Sequence, residues 1–94
     1  MPVVGLLSLE LYLPNASSLK EKRMVLRSVK DRLRKFNIAI AETDHQDLWQ
    51  RARLDVVAIS TDTKTVDQAL AAAENEIERV HPGLVCDSRV EFLT

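Results

Sequence analysis

The chain has 94 residues, 46% of them hydrophobic and 29% charged, with 13 basic and 14 acidic side chains. That composition suits one globular domain and argues against disorder, and a single cysteine excludes an internal disulfide framework. Two glycines leave no phosphate-cradling glycine loop, and no apolar run approaches the ~20 residues needed to span a bilayer. The first apolar stretch has no basic region before it and contains Glu10, so it does not read as an export signal. The expectation is a single cytoplasmic domain over residues 1–94 with no membrane partner.

Residues 3–13 alternate with period two and predict a strand. Val3, Gly5, Leu7, Leu9, Leu11 and Leu13 share one face, and Val4, Leu6, Ser8, Glu10 and Tyr12 share the other. Pro14 and Asn15 end it. Ser18 followed by Glu21 fits a capping box, and Leu19, Leu26, Val29, Leu33 and Phe36 make the apolar stripe of a helix to about residue 35. A short strand is expected over 38–43 and a third, apolar on both faces, over 54–61. The segment between them, 44–51, is too long and polar for a two-residue hairpin turn. Asp62 and Thr63 offer caps for a second helix over 64–80, with Val66, Ala69, Leu70, Ala73, Ile77 and Val80 as its core stripe. Pro82-Gly83 stops that helix, and 84–93 closes the chain as a fourth strand with Leu84, Cys86, Val90 and Phe92 inward. The order β-α-β-β-α-β with right-handed crossovers predicts a ferredoxin-like α+β sandwich, a four-stranded antiparallel sheet with both helices on one face.

Charge is unevenly distributed along this order. Residues 19–35 hold eight basic and two acidic side chains, whereas 36–94 hold five basic and eleven acidic ones. At 100° per residue, Lys20, Arg23, Arg27, Lys30 and Arg34 fall within about an 80° arc, with Asp31 at its margin. Arginine forks match phosphate oxygens, so such a ridge fits a nucleic-acid backbone. Lys20 and Lys22 lie in the first helical turn, where the helix dipole disfavours cations, which suggests an anion near Ser17 and Ser18. The phosphate-contact set is therefore Lys20, Lys22, Arg23, Arg27, Lys30 and Arg34. Two plainer readings stand beside it: a solvated face, or pairing with Asp67, Glu74 and Glu78 on the second helix, within the chain or across a dimer. Base stacking on the sheet is disfavoured, because the chain has four aromatic residues and among the strand candidates only Tyr12 faces outward.

Glu42, Asp44, His45 and Asp47, followed by Trp49 and Gln50, form a second cluster. Paired carboxylates with an imidazole suit acid–base chemistry or a divalent metal, but the spacing matches no specific metal or catalytic motif. The reading with most weight is structural: the aspartates cap turns, Trp49 anchors the connection over the sheet and His45 makes a hydrogen bond. The same six residues are the candidate ligand- or partner-contact loop. No catalytic residue, metal or cofactor is assigned. The outward Val4, Leu6 and Tyr12 leave self-association through the sheet face or an edge strand as the rival function to RNA contact.

Three blocks carry a family resemblance: Leu6-Leu7-Ser8-Leu9-Glu10-Leu11-Tyr12-Leu13-Pro14, Ser18-Leu19-Lys20-Glu21-Lys22-Arg23, and Ala41-Glu42-Thr43-Asp44-His45-Gln46-Asp47-Leu48-Trp49-Gln50-Arg51-Ala52. Together they resemble the YlxP family, small bacterial proteins classed as a domain of unknown function. The resemblance implies the ferredoxin-like fold. Members are often encoded beside a translation initiation factor and ribosome-binding factor A, which implies a role near the ribosome and ribosomal subunits or RNA as partners. It supplies no catalytic residues.

Overall fold

A computed structural model describes residues 1–94. Its elements are β1 (Val3–Tyr12), α1 (Leu19–Leu33), β2 (Ala39–Asp44), β3 (Arg51–Ser60), α2 (Thr63–Val80) and β4 (Val85–Phe92). The strands form one antiparallel sheet in the order β2-β3-β1-β4. No helix is long and apolar enough to cross a membrane.

Strict alternation puts β1 at the centre of this sheet. Leu7, Leu9 and Leu11 are almost fully buried on the helix side, along with Leu54, Val56 and Ala58 of β3. Complete burial of one such aliphatic side chain contributes about 1.5–3 kcal/mol, so the two central strands provide much of the driving force. The helices close this layer with Leu26, Val29 and Leu33 from α1 and Val66, Leu70, Ala73 and Ile77 from α2. Both helix starts are capped as their sequences demand. Ser18 Oγ accepts from the Glu21 amide at 3.1 Å, and Asp62 Oδ1 accepts from the Thr65 amide at 2.7 Å.

Gly5 marks where α2 comes closest to the sheet. A Cβ there would lie 2.5 Å from Val66 Cγ1 and 3.1 Å from Leu70 Cδ1, a clash that only glycine avoids.

Most element ends shift by one or two residues, and two differences go further. β3 begins at Arg51, three residues early, because Arg51 and Arg53 occupy the open face while Ala52 and Leu54 are buried. The run has one apolar face from its start, although its charged face disguises it. In β4 the register shifts between Glu10 and Leu11 of its partner. Val85 consequently packs on the core, and Cys86, expected to face inward, is exposed with its thiol donating to the Glu10 carbonyl at 3.3 Å.

Candidate functional site: the basic ridge and the loop beside it

The sequence-predicted cations of α1 separate into two groups. Lys20, Arg23, Arg27 and Arg34 are exposed, and Lys30 is half-buried. Among the five, only Arg34 meets an acid, Asp31 at 3.3 Å, one turn back and in open solvent. The side of α1 that touches α2 lies elsewhere. Ser28 Oγ shares a hydrogen bond with His81 Nε2 at 3.1 Å, and Lys35 Nζ pairs with Glu76 at 2.8 Å. Ser28 sits roughly 120° round the helix from the centre of the ridge, and Lys35 lies just past the helix end. The ridge therefore faces away from α2. Within the chain, pairing with Asp67, Glu74 and Glu78 does not occur; the acid that ties the helices is Glu76, on the buried side of α2. Lys35 and Arg79 both hydrogen-bond its carboxyl, with Arg79 the stronger influence, and hold it down to about 2.

Lys22 is not part of the ridge. It is 2% exposed, the most buried polar side chain in the molecule. Its Nζ donates to the His45 carbonyl and, at 2.7 Å, to the Leu48 carbonyl, and lies 3.0 Å from Glu42 Oε2. A phosphate cannot reach it. The sequence carried the signal: Lys22 precedes Leu26, Val29 and Leu33 at intervals of four, three and four, so it occupies a core slot of the apolar stripe. Glu42 likewise follows Ile38 and Ile40 on the inward parity of β2. A cation and an anion at two inward positions must meet or remain unpaired.

The expected anion near the helix start is also internal. Glu21 Oε2 accepts from the Ser17 amide and Oε1 from the Ser17 hydroxyl, each at 2.8 Å. The amide and then the hydroxyl lower the Glu21 pKa, so this carboxylate itself complements the dipole.

At the end of β2 and in the loop to β3 the six candidate residues point in several directions. Asp44 Oδ1 accepts from the His45 amide at 2.7 Å, the expected turn cap. His45 has φ of +64°, a left-handed conformation that side chains rarely adopt, and donates from Nε2 to Glu10 Oε2 at 3.1 Å. Gln50 Nε2 donates to the carbonyls of Pro14 at 3.2 Å and Ala16 at 3.5 Å. Asp47 is exposed and has no ion-pair or hydrogen-bonded partner. Trp49, expected to anchor the loop, is 52% exposed instead. The anchor is Lys22, which ties the loop to α1 from below. Glu10, Lys22, Glu42, His45 and Gln50 thus stitch the three distinctive sequence blocks together.

An open depression of about 500 Å³ lies over Asp47, Leu48, Trp49, Gln50 and Arg51, but Glu42, Asp44 and His45 do not line it. A cleft of about 360 Å³ opens between the β1–α1 turn, α1 and the α2–β4 turn, lined by residues such as Tyr12, Glu21, Val25 and His81. None of Glu42, Asp44, His45 or Asp47 lines it. Nowhere do three His, Cys, Asp or Glu side chains converge in the manner of a metal site. On the open sheet face a polar group escaped the sequence reading. Arg53 Nη2 donates to Ser8 Oγ at 3.2 Å, and Thr43 Oγ1 donates to Asp55 Oδ2 at 2.6 Å. Burial opposes ionisation of Asp55, but the Ser8 and Thr43 hydroxyls and the Arg53 charge outweigh it and leave the pKa below the usual carboxylate value.

Two helices over one face of a β2-β3-β1-β4 antiparallel sheet define a ferredoxin-like α+β protein. Similar solved structures include the de novo designed protein Foldit4, with a TM-score of 0.61 and 10% identity over 100% of this chain and 98% of that one. Another is the de novo designed protein LFR1 1 with ferredoxin fold, with a TM-score of 0.50 and 15% identity over 98% and 83%. At such identities the likeness concerns fold alone. The family described as "Protein of unknown function (DUF503)" matches residues 4–90, and the chain belongs to it. It is 37% identical over 79 residues to the uncharacterized protein YlxP of Bacillus subtilis (strain 168), covering 83% of this chain and 78% of that protein.

Proposed function

We propose that this protein is a non-catalytic module that associates with RNA or ribosomal subunits through phosphate contacts made by Lys20, Arg23, Arg27, Lys30 and Arg34. One observation carries the reading: five cations form an acid-free ridge that faces away from the acidic helix, and four of them form no ion pair. Apart from the exposed Arg34–Asp31 pair, the protein does not neutralise this ridge internally, so a polyanion meets four of its cations without displacing native partners. Contacts of this kind fix a backbone and carry little sequence selectivity. Lys22 takes no part; it holds the loop that flanks the N-terminal end of α1.

The test is binding to purified ribosomal subunits and to a mixed RNA duplex across a salt series. Several phosphate contacts predict a log–log slope steeper than about −2, because each neutralised phosphate releases counterions. Replacing Arg23, Arg27 and Arg34 together by glutamate should abolish that binding and leave the circular dichroism spectrum unchanged, since all three are exposed. Undiminished affinity in the folded triple variant overturns the proposal.

A further inference from the structure

The two edges of the sheet differ in how well they are protected. On the β2 edge, Ala39, Ala41 and Thr43 present only small side chains outward, and Glu42 on the helix side is held by Lys22. The register breaks between Glu42 and Asp44, and the like-charged ridge stands on the same half of the molecule. The register break and the nearby like charge disfavour a second copy there. Like β2, the β4 edge has neither lysine nor proline, and its register shift is confined to the stretch around Cys86, leaving Asp87 to Phe92 regular. Its helix-side residues Val90 and Phe92 are 43% and 41% exposed because α2 packs over β1 and β3 and leaves β4 uncovered.

We infer that β4 is a self-association edge, pairing antiparallel with β4 of a second copy about a two-fold axis at Val90, to make one continuous eight-stranded sheet. Hydrogen-bond parity limits the options first. The Leu93 amide donates to the Val4 carbonyl, so odd-numbered residues of this strand direct their backbone groups to β1. Ser88, Val90 and Phe92 then direct theirs outward, unpaired. A symmetric ladder must be centred at or between these outward residues, with side-chain parity kept; of the five centres, Phe92 pairs little but the end of the strand and Glu91 sets Glu91 against its own copy, which leaves Ser88, Arg89 and Val90.

Charge then selects among them. Asp87, Arg89 and Glu91 lie on the open face, opposite Glu10, Ser8 and Leu6 of β1, and none forms an ion pair within its own chain. An axis at Arg89 sets Arg89 against its own copy and Asp87 against Glu91, like against like. An axis at Ser88 pairs Arg89 with Asp87, but it runs the ladder into the irregularity around Cys86 and leaves Phe92 opposite residue 84, outside the strand. An axis at Val90 pairs Arg89 with Glu91 twice, packs Val90 on Val90 and Phe92 over Ser88, and stays clear of the irregular stretch. Opposite charges directly across a ladder favour pairing, and like charges oppose it. Only the Val90 register satisfies backbone, charge and apolar side chains together.

The experiment measures molar mass by light scattering over a concentration series of the full chain. The native protein should rise with concentration towards twice 10.6 kDa. Arg89→Glu sets glutamate against Glu91 at both symmetric positions and should weaken association about tenfold or more. The double change Arg89→Glu with Glu91→Arg should restore it, because the pair is exchanged rather than lost. In the Ser88 register that double variant would still oppose Asp87 and stay dissociated. Val90→Lys, which places a charge at the axis, should be monomeric. A native protein that stays at 10.6 kDa throughout overturns the inference. So does an Arg89→Glu variant that still dimerises, or a double variant that does not. RNA binding by the ridge is measured separately, so failure of either proposal leaves the other standing.

Discussion

Lys22 and Gly5 show how single residues set this structure. The Lys22 stem lies in the core stripe of α1, and its ammonium satisfies two loop carbonyls and forms an ion pair with one carboxylate. Lys22→Met keeps the stem but strands Glu42 and both carbonyls. Removing one partner of a buried pair costs about 3–5 kcal/mol; since Glu42 is 21% exposed, the expected loss is nearer 3 kcal/mol. Urea denaturation measures it, and faster amide exchange in the loop should accompany it. Gly5→Ala forces a methyl group into Val66, so α2 must lift or side chains leave their rotamers. Overpacking of that kind costs about 1–3 kcal/mol, to be seen as a lower denaturation midpoint with an unchanged slope. Both roles were partly legible. Lys22 occupies an apolar position in its heptad-like spacing, whereas nothing in the β1 sequence announced which helix would press on Gly5.

At the level of elements, the helix pair is joined by Glu76 between Lys35 and Arg79 rather than by facing charged ridges. Its carboxyl is lowered from 4.5 to about 2 by hydrogen bonds from Arg79 and Lys35. A lowered folded-state pKa means the unfolded chain takes up the proton first on acidification. The stabilisation is therefore complete above about pH 4.5 and lost progressively towards about pH 2. Glu76→Gln should flatten the pH dependence of thermal stability across that window and leave the neutral-pH helix content unchanged. The periodic patterns identified every element, because burial of one face dictates a period of two or 3.6. They missed the start of β3, where arginines alternate with Ala52 and Leu54, and the inward side of β4, where a register shift reverses the parity of Cys86.

For the whole molecule, tertiary placement separates two surfaces. The ridge occupies the outer side of α1, turned from α2, while the edge with exposed helix-side residues is β4 at the far side of the sheet. A dimer through β4 keeps both ridges at its outer flanks and free for a polyanion. Self-association should accordingly be insensitive to the glutamate substitutions on the ridge. The net charge of −1 conceals this polarity, because the acids that balance the ridge are carried by the loop, α2 and the later strands.

The sequence by itself determined the order of elements, the buried faces and the existence of a basic stripe. These follow from local periodicity, which a linear chain displays in full. Which cation belongs to the stripe and which to the core, which acid bridges the helices, and which edge lies bare were decided by the tertiary structure. Each depends on the rotation of one element against another, and that rotation is set by packing across residues distant in the chain, such as Val66 on Gly5 and Lys22 on Glu42.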